Sequence, residues 1–351
     1  AVTVIDAAAH PAAEASGNPA GLYHGTFNAD DGVHARFNRA AGLATTRLLA
    51  TLPALPWHQC GLLRLEQERR PEQMRKQIEQ LGLPADYVQA LDAQAASHLA
   101  GLALDQAAWY YPGGGALPPA AYVQAMLETS GAALRFDCAV AGLKRIDARW
   151  QLLNADGQVI EESELLVLAG GHRAIDWLPH MPLVRQRGQL THWPQAGFAP
   201  LVPVAGDGYA IADGDGGIWC GATSDDEDMD PLLRRPDQTA NMSPWLRYAQ
   251  PSQSDAALLG RVAWRLVSPD RLPLVGGIAL EDWKGRDDQA RFIPRQPGLV
   301  MCSGFGSRGI TWAALCGEIA AALATGAPCP VEASLLDAVD PVRFAVRRLR
   351  R

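Results

Sequence analysis

Gly304-Phe305-Gly306-Ser307-Arg308-Gly309 is the stretch whose reading decides the fold. Gly298-Leu299-Val300-Met301-Cys302-Ser303 before it reads as a short buried strand, and Ile310-Thr311-Trp312 after it opens an alanine-rich run that ends near Gly326. The order is strand, glycine turn, helix. Glycines let the backbone approach a ligand closely, and the helix start turns N–H groups and a positive dipole end toward an electron-rich group. The spacing is Gly-x-Gly-x-x-Gly, the pattern of a dinucleotide-phosphate loop. Such a loop needs a second strand tipped with an acid about 20 residues onward, whereas Pro328, Cys329, Pro330 and an arginine-rich end follow here. The turn is therefore expected to close a sheet begun much earlier, with its helix aimed at another part of a cofactor.

The start of the chain supplies the acid. Val2-Thr3-Val4-Ile5-Asp6 is a β-branched run ending in a carboxylate, as in the dinucleotide-fold strand whose acid accepts ribose hydroxyls. The competing reading is that Asp simply favours turns. On the first reading, an opening strand, glycine turn and helix are expected before residue 1. Leu165-Leu166-Val167-Leu168-Ala169-Gly170-Gly171 is a continuous apolar run stopped by glycines, predicting a parallel strand buried on both faces and ending at a ligand. Together with the strands before Asp6 and Gly304, it predicts one doubly wound α/β sheet assembled from distant segments.

Between these strands the periodicity predicts helices over 34–52 and 71–81, a broken helix over 86–99, and a strand over 57–65. Trp109 to Gly115 reads as a return through a glycine turn, and Pro118 opens a helix to about Ser130. Leu134–Phe136, Val140–Ile146 and Trp150–Leu153 read as strands, with a hairpin turn at Asp156-Gly157. From Val184 to Gly277 the pattern turns antiparallel, interrupted by Asp225-Asp226-Glu227-Asp228-Met229-Asp230. That run lacks the glycine and distal glutamate of a calcium loop and reads as a solvated acidic loop.

A chain of 351 residues, 20% charged, has room for two domains. No apolar run reaches the ~18 residues of a membrane helix. The net charge of -7 gives no overall basic footprint, although Arg343, Arg347, Arg348, Arg350 and Arg351 crowd one end near Asp340. This tail reads as a solvated terminus, with a polyanion contact as the alternative. Six scattered cysteines form no Cys-x-x-Cys pair and eight histidines lack metal-ligand spacing, so reduced thiols, a cytoplasmic location and no metal site are expected.

The ordered series Asp6, Ala15-Ser16-Gly17, Pro112-Gly113-Gly114, Pro118-Pro119-Ala120, Val167 to Gly170, Arg187-Gly188-Gln189, Trp264-Arg265, Asp270 to Gly276 and Gly304 to Thr311 resembles the FAD-dependent D-amino-acid oxidase (glycine and sarcosine oxidase) superfamily. Within it, Ala15 to Asn18 with Gly21-Leu22-Tyr23, the Arg187 strand and the Gly304 turn with its basic end are most similar to the oxidoreductase domain of the bifunctional tRNA 5-methylaminomethyl-2-thiouridine biosynthesis proteins. Two departures stand out: the phosphate-binding Gly-x-Gly-x-x-Gly start and the preceding methyltransferase domain are not in this sequence.

The resemblance implies a discontinuous Rossmann-like FAD-binding domain (1–52, 112–182 and 298–351), without its first strand-turn-helix, and an antiparallel-sheet α+β substrate domain (53–111 and 183–297). It implies FAD near Asp6, Ser16, Gly17, Val140, Ala169, Gly170, Gly304, Gly306, Arg308, Gly309, Ile310 and Thr311. Arg265 and Arg308 are the implied catalytic residues, and Arg187, Gln189, Arg265 and Arg308 the implied substrate contacts. Arg265 also admits a structural reading, as a partner of Asp270. The implied reaction is oxidative removal of a carboxymethyl group from a wobble uridine of tRNA. A free glycine or sarcosine oxidase and a non-catalytic tRNA-binding remnant are the alternatives.

Overall fold

The computed structural model describes residues 1–249, 257–280, 283–286 and 288–348. Its contacts divide the chain into two compact units, one of Ala1–Ala13, Met126–Arg185 and Arg265–Arg351, the other of Glu14–Ala125 and Gln186–Trp264.

In the first unit, strands from distant segments pair in parallel. Thr3–Ile5 lies beside Ala133–Arg135, and Leu166–Leu168 beside the second half of a longer partner, with Leu166 opposite Leu299 and Leu168 opposite Met301. That partner, Arg295–Ser303, pairs antiparallel on its other edge with Leu274–Ala279. Among the described residues these form two small sheets and not the single sheet expected. The 165–171 run is also not buried on both faces: its strand has one neighbour and Val167 is 40% exposed. A three-stranded meander (Gly142–Ile146, Arg149–Leu153, Val159–Ser163) has its second turn at Gly157, as the Asp-Gly pair predicts. Leu274, Met301 and Leu299 pack with Trp150, Leu266 and Phe344 into one core. Each such side chain contributes roughly 1.5–3 kcal/mol by leaving water.

The second unit is built on a large, mostly antiparallel sheet. Its longest strand, Ala107–Leu117, pairs with Gln59–Glu66 on one edge and Gly21–Tyr23 on the other. The helices Val33–Leu49 and Pro71–Gln80 arise where the periodicity predicts them. Two expectations are corrected. Residues 86–99 contain a strand, Gln89–Leu91, before the helix Ala93–Ala100, because the strand pairs with Ala108–Tyr110. Gly113-Gly114-Gly115 is not a turn but strand interior: a Cβ on Gly115 would stand 2.1 Å from the Gln59 carbonyl oxygen. Glycine serves close approach there, not a change of direction.

The acidic run is solvated as expected, with Asp226, Glu227 and Met229 exposed, but it is an ordered strap and not a plain loop. Asp225 and Asp226 pair with Arg187 and Gln186, Arg234 binds Asp228 and Asp230, and the Trp264 indole donates to the Asp228 carbonyl.

Candidate active site

The site is built from the end of the Arg295–Ser303 strand. The chain turns at Gly304 (φ 74°), passes a 3-10 turn at Gly306–Arg308 with Gly306 at φ 53°, and enters the helix Gly309–Thr325. Both glycines lie in left-handed backbone that side chains avoid, and a Cβ on Gly304 would meet Leu274 at 2.5 Å. Arg308, at the N-cap, makes no side-chain capping hydrogen bond to this 17-residue helix. The Ala169-Gly170 end of the neighbouring parallel strand lies at the same edge, joined by a hydrogen bond from Ser303 Oγ to the Gly171 carbonyl. Ligands of open parallel sheets sit at the C-terminal ends of strands.

A cavity of about 40 Å³ opens beside this turn, lined by Val267, Arg271, the Gly304–Arg308 backbone and Trp312. It has room for a small polar group and not for a ring system. Arg308 lines it as the last residue of the 3-10 turn. Arg265 lies two residues before Val267 on the strand Leu259–Val267, and the alternation of a strand puts both on one face. Its expected alternative partner, Asp270, receives both Nε and Nη2 of Arg343, at 2.9 and 3.0 Å.

Arg271 and Arg343 carried no site role in the sequence. Arg343 is 5% exposed and also donates to the Leu272 carbonyl, while Ser268 Oγ bridges Asp270 and Leu272. These bonds fix the 268–272 turn, which holds Arg271 at φ 58°, a costly conformation that needs such support. The solvated-terminus reading is thus corrected for Arg343, which is buried. Arg347 and Arg348 continue its helix, and Arg350 and Arg351 lie outside the described residues.

Other expected residues lie elsewhere. Asp6 follows the Thr3–Ile5 strand, exposed, with one carboxylate oxygen accepting from the Ala8 N–H. Val140 is half-buried between strands, and Ser16 and Gly17 form a 3-10 turn in the second unit, anchored by Arg261 through the Glu14 carbonyl and Asn18. Thr311 is buried in the first helical turn, next to Gly309 and Ile310.

Arg187 and Gln189 are corrected. Neither has any exposed surface, and Arg187 donates to Asp237 and to the carbonyls of Asp230 and Leu232, while Gln189 pins the Arg234 backbone. They hold the acidic strap and cannot reach a substrate. Cys302 and Cys316, flanking the glycine turn, are no nucleophiles: burial pushes the Cys302 thiol up to about 12 and that of Cys316 well above its ordinary value.

A family model described as FAD dependent oxidoreductase matches residues 1–323. This chain belongs to that family. Its relatives include the tRNA 5-methylaminomethyl-2-thiouridine biosynthesis bifunctional protein MnmC of Methylibium petroleiphilum, 42% identical over 99% of this chain, and that of Burkholderia orbicola, 38% identical over 99% of this chain. This chain spans 57% of the length of each. The solved iminodiacetate oxidase of Chelativorans sp. BNC1 is 25% identical, with a TM-score of 0.73 over 97% of this chain and 92% of its own. Glycine oxidase of Geobacillus kaustophilus shares the fold, with a TM-score of 0.69 at 19% identity and coverage of 97% and 91%.

FAD is the family's cofactor, and the residues present fit it. The bare backbone at Gly304 and Gly306, at an N-terminus without a side-chain cap, suits the electron-rich edge of a flavin, and the exposed Asp6 carboxylate suits ribose hydroxyls. No helix among the described residues is long and apolar enough to cross a membrane.

Proposed function

We propose that this chain oxidatively removes the carboxymethyl group from 5-carboxymethylaminomethyl-2-thiouridine at the tRNA wobble position, leaving 5-aminomethyl-2-thiouridine and glyoxylate. The observation that carries the reading is the pair Arg271 and Arg308 lining one small cavity at the glycine turn, a cationic place for a carboxylate. The similarity to MnmC over nearly the whole chain supports a tRNA substrate, and the likeness to iminodiacetate oxidase supports attack on an N-carboxymethyl group. The FAD-binding segments would be 1–52, 112–182 and 298–351, with 53–111 and 183–297 serving the substrate, and a methyltransferase partner domain would complete the pathway.

When bound, FAD supplies the two-electron sink that takes hydride from the methylene between carboxylate and nitrogen. The chain's own residues do the positioning. Arg265 and Arg308 grip the carboxylate, a planar guanidinium matching it through two bonds, and Arg271 adds positive charge. The helix dipole at Gly309 to Thr311 stabilises negative charge as the flavin edge gains it. Loss of hydride and of the nitrogen proton leaves a substrate imine, which water splits into glyoxylate and the primary amine.

The test is to purify the chain with FAD and add undermodified tRNA without oxygen. Bleaching of the flavin absorbance by that tRNA and not by glycine supports the proposal; bound FAD with an unchanged spectrum overturns it. Hydrogen peroxide formed with glycine or sarcosine alone would instead favour a free amino-acid oxidase, the reading to which the glycine oxidase fold lends itself.

A further inference from the structure

The stretch 343–351 holds five arginines, and the proposed reaction gives a role to Arg343 alone, as the brace of the 268–272 turn. Its root is fixed. Arg343 Nε and Nη2 hold the two oxygens of Asp270 at 2.9 and 3.0 Å, Phe344 packs in the core with Leu266 and Met301, and the Val342 N–H donates to Asp340. From this anchor the chain runs as a helix, Arg343–Arg348. A frayed segment would have neither the buried root nor the helix.

The same anchor sets the helix beside the candidate site. Asp270 directly precedes Arg271, which lines the cavity at the glycine turn. With a rise of 1.5 Å per residue, Arg347 and Arg348 stand about 6–8 Å from Arg343 along the helix axis.

The charge there is not balanced by the acids around it. Residues 341–351 contain no acid. Asp270 neutralises Arg343, and Asp340 is taken by Arg295 at 2.7 Å. Arg347, Arg348, Arg350 and Arg351 then stand against Glu332 and Asp337 of the adjoining helix Ala333–Val339 and its cap, which leaves positive charge in excess in a chain of net charge -7.

We propose that the arginines from Arg347 onward bind the phosphate backbone of the RNA substrate beside the reacting nucleotide, a contact that rests on the tRNA reading above. The surplus charge fits phosphates, and the place next to Arg271 fits those flanking the base whose carboxylate enters the cavity. A guanidinium matches phosphate oxygens through two bonds. Such contacts fix the position of the RNA without reading its sequence, and salt weakens them.

The flavin-containing chain is titrated with labelled undermodified tRNA at several salt concentrations, followed by anisotropy and so without turnover. Arg347→Gln with Arg348→Gln, checked for an unchanged thermal melt, should weaken binding about tenfold at low salt and lower the slope of log affinity against log salt by about 2. Arg350→Gln with Arg351→Gln carries the same expectation and decides if the first pair fails to fold. Arg75→Gln with Lys76→Gln, an equal change of charge on the exposed face of a helix in the second unit, should leave both quantities unchanged. In anaerobic flavin bleaching, the first pair should need about tenfold more tRNA for its half-maximal rate at an unchanged limiting rate.

Unchanged affinity and slope in the arginine variants, or equal losses in the Arg75 and Lys76 control, overturn the proposal. So does binding to phosphatidylglycerol vesicles that the arginine variants lose while keeping tRNA affinity, which would assign the stretch to a lipid surface. Bleaching by tRNA together with unaltered affinity of the variants sinks this inference and leaves the oxidation standing. Weakened binding by the variants without any bleaching does the reverse.

Discussion

Arg343 shows how one side chain can hold a site it never touches. It closes on Asp270 and the Leu272 carbonyl, and the turn so fixed sets Arg271 beside the glycine turn. Arg343→Met would leave the Asp270 carboxylate without its buried partner, at a cost of about 3–5 kcal/mol, read as a lowered urea midpoint with an unchanged slope. Replacing Asp270 as well should cost less than the sum of the two single changes. The reacting end predicts a different split. Arg308→Ala or Arg265→Ala should lower tRNA turnover by roughly 10–100-fold, the worth of a charge-assisted bond, while FAD affinity measured by flavin fluorescence barely moves. Equal losses in both would place these arginines on the cofactor. Arg308 and the turn glycines could be singled out in the sequence because a long cation inside a glycine turn has few structural reasons to be there. Arg271 could not, since only a fold that brings residues 267–271 against 304–308 makes it a neighbour.

At the scale of the element, glycine has two uses that look alike in a sequence. Gly304 and Gly306 take left-handed backbone and do turn the chain, whereas Gly113, Gly114 and Gly115 run straight through a strand. Gly115→Ala should destabilise by about 1–3 kcal/mol, since its Cβ would press on the Gln59 carbonyl. Gly113→Ala should stay within about 0.5 kcal/mol because the nearest atom, Thr46 Oγ1, is 3.9 Å away. Thermal melts of the two variants separate the cases, and matching losses would refute the packing argument. The Arg187 strand teaches a similar lesson. A cation among apolar neighbours signals either a ligand or a buried partner, and Asp237, 50 residues onward, is the partner here.

Over the whole molecule, stability should depend on cofactor and on pH. FAD binds the folded chain only, so restoring it to the stripped protein at 100 times its Kd should add about 2.7 kcal/mol and raise the melting temperature. An unchanged melt would mean that FAD does not bind here. Asp213, against burial that raises its pKa, is held below the ordinary carboxylate value by the His192 bond and by the Asp215 and Gly217 N–H groups. Because the folded value is the lower one, its contribution is present above the unfolded value near 4 and fades as pH falls through the folded one. The urea midpoint of the native chain should therefore exceed that of Asp213→Asn at neutral pH and approach it in acid. A gap constant with pH would show that His192 and Asp213 are not coupled in this way.

The amino-acid sequence by itself determined the strand, glycine turn and helix at 298–326, the parallel strand ahead of Gly170 and the acid-tipped strand at Asp6. Each depends on local rules: backbone angles that only glycine adopts readily and the apolar pattern of a strand. It also carried, through resemblance, the flavin. Only the tertiary structure decided that Arg187 is walled in, that Arg343 braces a turn 73 residues away, and that Arg271 meets the glycine turn. Those facts depend on which distant segments share a surface. Burial and partnership are properties of the packed chain, and no spacing within it encodes them.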